Sequence, residues 1–289
     1  MKRSEFPFLD PTRVRWAEVD MQRVVFNAHY LTWFDTAMGA YWRALALPYE
    51  ESLAALGGDL FLRRATVDYE APARYDDALD VGIRFAGVGT SSLRFLAAVF
   101  RGDERLVHGE LTYVWTDPPG TPAPRPRRVP AVLAEAFEAH AVGEPMVAME
   151  VGDWQALGEA ARALRTAVFV DEQHIPANLE QDEADTVAVH ALARNRLGVP
   201  VGTGRLLAGE GGHPARIGRM AVRRDLRGAQ VGRTVLEALM AHAGARGDTQ
   251  VALNAQASAV GFYRRAGFLA HGDAFIVAGI EHQEMRRAP

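Results

Sequence analysis

The chain has no cysteine among its 289 residues, which excludes disulfides, thiolate metal sites and a cysteine nucleophile. It also lacks any apolar run near the ~18 residues that a membrane-crossing helix needs. The start, Met1-Lys2-Arg3-Ser4-Glu5-Phe6-Pro7, carries charge with no apolar stretch behind it and does not read as a signal peptide. Excess positive charge is missing too: a net charge of −4 argues against nucleic acid as a partner. What is present is ordinary for a soluble globular protein, with 48% apolar and 24% charged residues. A chain of this length predicts two domains, since one domain usually runs to ~100–200 residues. A cytoplasmic protein without membrane partners is the expectation.

Punctuation along the chain places the border. Pro118, Pro119, Pro122, Pro124, Pro126 and Pro130 crowd one segment. Proline lacks the N–H that a central strand or helix interior uses, so this segment is neither. A short amphipathic helix is expected over 130–140, with Val132, Leu133 and Phe137 on one face. Gly143 and Pro145 follow, and the border is placed near residues 141–146, giving domains 1–142 and 143–289.

In the first half, residues 12–18 read as a strand. A helix is expected over 30–47, apolar around so much of its circumference (Phe34, Met38, Tyr41, Trp42, Leu45, widened by Leu31, Trp33, Ala37 and Ala40) that it must be buried. Strands are expected at 61–69, 79–85, 93–100 and 106–115. Leu79, Val81, Ile83 and Phe85 alternate with Asp80, Gly82 and Arg84. The order predicts an antiparallel sheet wrapped around one helix. The second half alternates: strand 146–151, helix 157–170, strands 187–193, 199–207 and 216–222, helix 232–245, strand 251–254, short helix 258–266 and a strand-like end. The fold class is therefore α+β in the first half and α/β with a mixed central sheet in the second.

Residues 14–34 read VRWAEVDMQRVVFNAHYLTWF. This stretch resembles the hotdog-fold acyl-CoA thioesterases of the 4-hydroxybenzoyl-CoA thioesterase type. Asp20, Val24, Val25, His29 and Tyr30 stand where that family has an acid, a small hydrophobic pair and a polar residue before the helix-opening Tyr. The turn Tyr69-Glu70-Ala71-Pro72 to Tyr75-Asp76-Asp77 fits as well, and the resemblance spans residues 11–140. Arg23 departs from it, because the family has glycine three residues after the acid. Thioester hydrolysis needs a carboxylate to attack or to activate water, and N–H groups aimed at the developing oxyanion. A helix N-terminus supplies such N–H groups and a positive dipole end. The resemblance thus implies a catalytic Asp20, with an N–H near Asn27 or Ala28 as oxyanion donor and His29 as support. Spacing alone also fits a loop or capping role for Asp20, and a helix-start role for His29. The D-x-N-P-x-H pattern of a hotdog dehydratase is absent.

Residues 219–240 read RMAVRRDLRGAQVGRTVLEALM. They resemble the acetyl-CoA signature of the GNAT superfamily: a strand, an Arg/Gln-x-x-Gly-x-Gly/Ala loop, then a helix. Arg227, Gly228 and Gly232 match, while Gln230 replaces the central glycine. Backbone N–H groups at a helix start can cradle the CoA pyrophosphate. The resemblance assigns Met220, Ala221, Val222, Arg227, Gly228, Ala229, Gln230, Val231, Gly232 and Arg233 to CoA binding. Residues 251–268, VALNAQASAVGFYRRAGF, match the family's second half. There Asn254 is implied beside the pantetheine arm, and Tyr263 as the acid that protonates the leaving thiolate. Glu172, His190 or a water chain are candidate bases for the attacking amine. His190 also fits as a packed histidine in its strand.

A bifunctional enzyme follows, hydrolysing acyl-CoA in the first domain and transferring an acyl group to an amine in the second. Two alternatives remain: an acyltransferase whose hotdog half only oligomerises or senses acyl-CoA, and a thioesterase with a degenerate CoA-binding GNAT half. No permanently bound cofactor or metal is expected. Acetyl-CoA or acyl-CoA is the substrate, and a dimer or tetramer built through the hotdog half is the expected assembly.

Overall fold

The apolar stripe read at 30–47 becomes helix α1, Ala28–Ala44, in a computed structural model that describes residues 1–180, 182–209, 211–277 and 279–289. Contacts divide the chain into two units, Met1–Met146 and Val147–Pro289.

In the first unit α1 buries Tyr30, Trp33, Phe34, Ala37, Met38, Ala40, Tyr41 and Trp42. It packs on a sheet of five antiparallel strands: β1 (Phe8–Arg13), β2 (Asp59–Tyr69), β3 (Ala78–Val88), β4 (Ser92–Arg101) and β5 (Glu104–Thr116), in the order β1-β3-β4-β5-β2. Leu79, Val81, Ile83, Leu93 and Phe95 line the sheet's covered face. A helix α2, Tyr49–Leu56, lies between α1 and β2, and α3, Ala131–Ala141, follows the proline segment. Phe137 of α3 plugs the core: its ring meets those of Trp42, Phe85 and Phe95 at 5.6, 5.4 and 5.1 Å. The proline segment holds no regular element. It folds back along β5 through a bridge between Thr116 and Pro126.

Two expectations need correction here. The first strand is Phe8–Arg13 and not 12–18, where a single 3₁₀ turn, Trp16–Glu18, stands instead. Strand β1 carries Pro11 at the sheet edge, paired only with β3, which is where a strand tolerates proline. Helix α2 was not anticipated. Its signals were Pro48 at the N-cap, Glu50 and Glu51 in the first turn, and left-handed Gly57 at the end.

The second unit has strands β6 (Val147–Gly152), β7 (Val189–Asn195), β8 (Pro200–Leu207), β9 (Ala215–Val222), β10 (Val251–Gln256), β11 (Leu269–Ala270), β12 (Phe275–Val277) and β13 (Ile280–Arg287). The order is β11-β13-β10-β9-β8-β7-β6, with β12 on β13. Only β9 and β10 run parallel among the paired strands; the others are antiparallel, so the sheet is mixed. Helices α4 (Trp154–Arg165), α5 (Ala177–Glu180), α6 (Val231–Arg246) and α7 (Val260–Arg265) complete it. Helix α4 stops at Arg165, and a π-helical turn, Thr166–Glu172, replaces the expected last turns. Glycine lets α6 sit close on the sheet: a Cβ at Gly202 would fall 2.6 Å from Val231, and one at Gly204 2.9 Å from Leu239. Among the described residues no helix is long and apolar enough to cross a membrane.

Candidate functional sites

The loop before α1 is a tight reversal. Asp20 N donates to Val24 O (2.9 Å), Phe26 N to Glu18 O (2.9 Å), and Arg23 N to Asp20 O (3.0 Å). The Asp20 carboxylate braces it through Oδ1, which accepts from Gln22 N at 2.8 Å and Val24 N at 3.5 Å. Among the described residues Oδ2 has no hydrogen-bond partner. Arg23, where glycine was expected, keeps a glycine-like backbone with φ of 63°. Beyond the loop, Asn27 caps α1 by position alone, without a side-chain bond. The N–H groups of Asn27 and Ala28 have no partner among the described residues.

Asp20 and Asn27 line one open cleft of about 670 Å³, together with Val24, Val25, Tyr30, Tyr69 and Glu70. Tyr69 Oη donates to Asn27 O (3.2 Å), and Tyr30 Oη accepts from Ala73 N (3.1 Å), tying the cleft wall to the helix start. His29 is not in the lining; its ring packs edge-on against Phe26 at 6.2 Å. Sequence reasoning missed Glu18. This buried carboxylate accepts from Arg15 N (2.7 Å) and Trp33 Nε1 (3.1 Å) and pairs with the Arg15 guanidinium. Burial pushes its carboxyl up, but these bonds outweigh burial and hold it below the usual range. Its signal was an acid two residues before Asp20 with Arg15 three residues upstream.

In the second unit β9 and β10 pair only through Ala215–Ile217 and Val251–Leu253, and then part. The register of β9 against β8 shifts at this point, and Arg219 adopts φ of 52°. Met220, Ala221 and Val222 lie past the shift, with no β10 partner. Such a gap leaves strand N–H and C=O groups for an extended, amide-bearing ligand. The loop from Arg227 leads into α6. Gly228 and Gln230 both have positive φ, 88° and 64°. Among the described residues the N–H groups of Gly228, Gln230, Val231, Gly232 and Arg233 have no hydrogen-bond partner. Aligned N–H groups at a helix start form an anion cradle. A Cβ at Gly232 would lie 3.3 Å from Val222 and 3.7 Å from Phe262, so the loop, the end of β9 and α7 meet there.

Tyr263 sits on α7 beside Phe262 and Phe268, with ring centroids 4.9 and 6.0 Å away. Burial pushes its hydroxyl up to about 12, so it is protonated at neutral pH. Asn254 on β10 accepts from Arg216 Nη2 at 2.8 Å. Glu172 and Arg227 come together as a bidentate pair at 2.6 and 2.7 Å. The guanidinium holds the Glu172 carboxyl below the usual range, which makes it a weak proton acceptor and departs from its reading as a base. The neighbouring Gln173 accepts from Gln256 Nε2 at 3.2 Å. His190 is 1% exposed, its Nε2 bonded to Asp185 O at 2.9 Å and its ring beside Trp154 at 4.9 Å. In this conformation no acceptor amine can reach it, and burial lowers its basicity further.

Around His190 lies a charge network that joins Glu180, Asp182 and Asp185 to three arginines. Arg165 is buried and bonds Asp185 (2.8 and 2.9 Å) and Glu180. Arg205 bonds Asp185 (2.7 Å) and Asp182 (2.8 Å). Arg219 reaches Glu180 O (2.8 Å) and Asp182 (2.9 Å), linking the network to the β9 irregularity. Burial pushes the Asp185 carboxyl up, but Arg165 and Arg205 outweigh it and hold it below the usual range. Among the described residues no group of three or more His, Asp or Glu is arranged to hold a metal ion.

Known proteins match the two halves separately. A family model of the thioesterase superfamily matches residues 22–108, beginning just after Asp20. A model of the acetyltransferase (GNAT) domain matches residues 150–288. The uncharacterized N-acetyltransferase YjcF of Bacillus subtilis is 34% identical over 125 residues, 43% of this chain and 87% of that protein. The acyl-CoA thioester hydrolase YbgC of Escherichia coli is 27% identical over 129 residues, 44% of this chain and 93% of that protein. The crystal structure of an acyl-CoA N-acyltransferase from Pseudomonas aeruginosa aligns at 31% identity over 49% of this chain and 99% of that one, with a TM-score of 0.45. The chain belongs to the GNAT acetyltransferases through its C-terminal half, fused behind a hotdog domain that matches the thioesterase-superfamily model over residues 22–108.

Proposed function

We propose that the chain is a bifunctional CoA-thioester enzyme: an acyl-CoA hydrolase in the first unit and an acyl-CoA-dependent amine acyltransferase in the second. The observation that carries the first half is Asp20, which lines the same cleft as Asn27 at the start of α1 and whose Oδ2 has no hydrogen-bond partner among the described residues. Asp20 takes the proton of the attacking water, and the N–H groups of Asn27 and Ala28 receive the thioester oxygen as it gains charge. In the second half the N–H groups of Gly228, Gln230, Val231, Gly232 and Arg233 hold the CoA pyrophosphate, and Met220–Val222 line the pantetheine arm opposite Asn254. Tyr263 donates its proton to the departing thiolate. Arg227 reaches the diphosphate by leaving Glu172, and Arg233 lies one turn along the same helix start. A cytoplasmic location belongs to this reading, because CoA thioesters are made inside the cell.

The reading includes a homo-oligomer formed through the first unit. Strand β2 lies at the sheet edge, with Phe61, Leu62 and Tyr69 about half exposed. An unpaired apolar edge is a liability that a second copy removes. Light scattering on the full chain should give at least a dimer; a monomer at micromolar concentration overturns this part.

The activity test is thiol release from acetyl-, butyryl- and longer acyl-CoAs, with and without amines. The chain contributes no thiol background, having no cysteine. Release without amine supports hydrolysis, and additional release with amine supports transfer. One observation favours an acyltransferase with a non-catalytic hotdog half: Asp20 Oδ1 is already engaged in bracing its own loop. Under that alternative, no thiol appears unless an amine is present.

A further inference from the structure

We propose that Glu70 sets the acyl-group specificity of the N-terminal cleft by excluding acyl chains that end in a carboxylate. This rests on the hydrolase reading above. The cleft lining contains two acids, Asp20 and Glu70, and no Lys, Arg or His. Its other walls are apolar or neutral, including Val24, Phe26, Tyr30 and Pro72.

The position of Glu70 is built and not incidental. It follows directly on β2, and both its oxygens are taken by Arg105 of β5, Oε1 by Nη2 at 2.5 Å and Oε2 by Nε at 3.0 Å. His108 Nδ1 stands 3.1 Å from Oε1. Arg105 is itself anchored on Met1 O at 2.9 Å. The guanidinium holds Glu70 below the usual carboxylate range, so it is ionised at neutral pH. Neither Arg105 nor His108 lines the cleft, so Glu70 is the one charged member of this group that borders it. A neutral acyl chain adds no charge to the two acids of the lining. A succinyl-type chain brings a third negative charge to the two already present, without a cation in the lining to receive it. Two like charges a few ångströms apart at a protein surface repel enough to change a rate constant roughly tenfold. The repulsion weakens as salt is added.

The test compares kcat/KM for succinyl-CoA and butyryl-CoA, equal in chain length, by amine-free thiol release on the full chain at low and high ionic strength. The wild type should favour butyryl-CoA. Glu70→Gln should raise the succinyl-to-butyryl ratio about tenfold at low salt and less at high salt, because it deletes one charge and frees Arg105. Arg105→Gln breaks the same ion pair but keeps the carboxylate, so its ratio should not rise. If both variants raise the ratio equally, loss of the β2–β5 pairing is responsible and the proposal falls. It falls also if the wild type hydrolyses butyryl-CoA but Glu70→Gln leaves the ratio unchanged; the hydrolase reading then stands. If the wild type hydrolyses neither thioester, both the proposal and the hydrolase reading fail.

Discussion

The two loops that lead into α1 and α6 meet the same geometric demand in different ways. Each carries a residue with left-handed backbone where its family has glycine: Arg23 at φ 63° and Gln230 at φ 64°. Each also leaves N–H groups open at a helix start. The first loop is braced by a side chain, Asp20, which accepts from Gln22 and Val24. The second is braced by backbone: Gln230 O accepts from Thr234 N at 3.0 Å, and Ala229 N donates to Leu226 O at 3.2 Å. Under the proposed function, the difference matches the anion that each loop would hold. A thioester oxygen gains charge only transiently and needs a protein carboxylate nearby to activate water. A diphosphate is permanently charged, and a carboxylate in that loop would repel it.

The largest expected effects exchange the two chemistries. Tyr263→Phe should lower amine-dependent CoA release by ~10²–10⁴-fold and leave amine-independent release nearly unchanged. Asp20→Asn should do the reverse, and for the same reason of magnitude. Parallel assays of one preparation decide it; equal loss of both activities in both variants would replace two sites with one.

Next comes stability. The second unit buries its charges, while in the first Glu18 is buried but its partner Arg15 is largely exposed. Arg165→Met leaves Asp185 and Glu180 without their shared cation, and breaking a buried pair this way costs ~3–5 kcal/mol. Denaturant melts should show the transition of the second unit moving to lower concentration and that of the first unit staying in place.

Acid should sharpen the same contrast. Glu18 and Asp185 both have folded-state pKa values below their unfolded ones. Their stabilisation is therefore complete above the unfolded value, about 4, and is lost as pH falls through the folded value. Asp185→Asn should flatten the acid-induced loss of stability in the second unit more than Glu18→Gln does in the first, because Arg15 is solvent-screened. Melting temperatures between pH 2 and pH 5 measure this (a window spanning about 4, the unfolded value).

The smallest effect concerns the two loops themselves. Arg23→Gly and Gln230→Gly each relieve a left-handed residue, a strain of ~1–2 kcal/mol, against the extra chain entropy that glycine loses. A gain of about 0.5–1 kcal/mol is expected for each. A loss in either variant would show that its side chain stabilises the loop by more than the backbone strain.

Much of this was legible in the linear sequence. The wrapping of one sheet around α1 followed from an apolar stripe too wide for a surface helix, and Phe137 was placed on the buried face of α3. Asp20, Tyr263 and the 227–233 loop were singled out because the stretches around them resemble family motifs whose residues are contiguous in the chain. Helix α2 was missed because it is short, and β1 was misplaced because Phe8–Arg13 shows no apolar alternation and pairs only at the sheet edge.

The sequence by itself determined which of the longer segments form helix or strand and which families the two halves resemble, since those rest on residues near one another in the chain. Only the tertiary structure decided which charges meet. Glu172 joins Arg227 across 55 positions, Glu70 joins Arg105 across 35, and Arg165 with Arg205 closes over Asp185. Those pairings turned a candidate base, Glu172, into an ion-pair partner and gathered Glu180 and Asp185 into a buried network. The physical reason is that a carboxylate's role depends on its burial and its nearest cation, and both are set by strands that become neighbours only when the sheet forms.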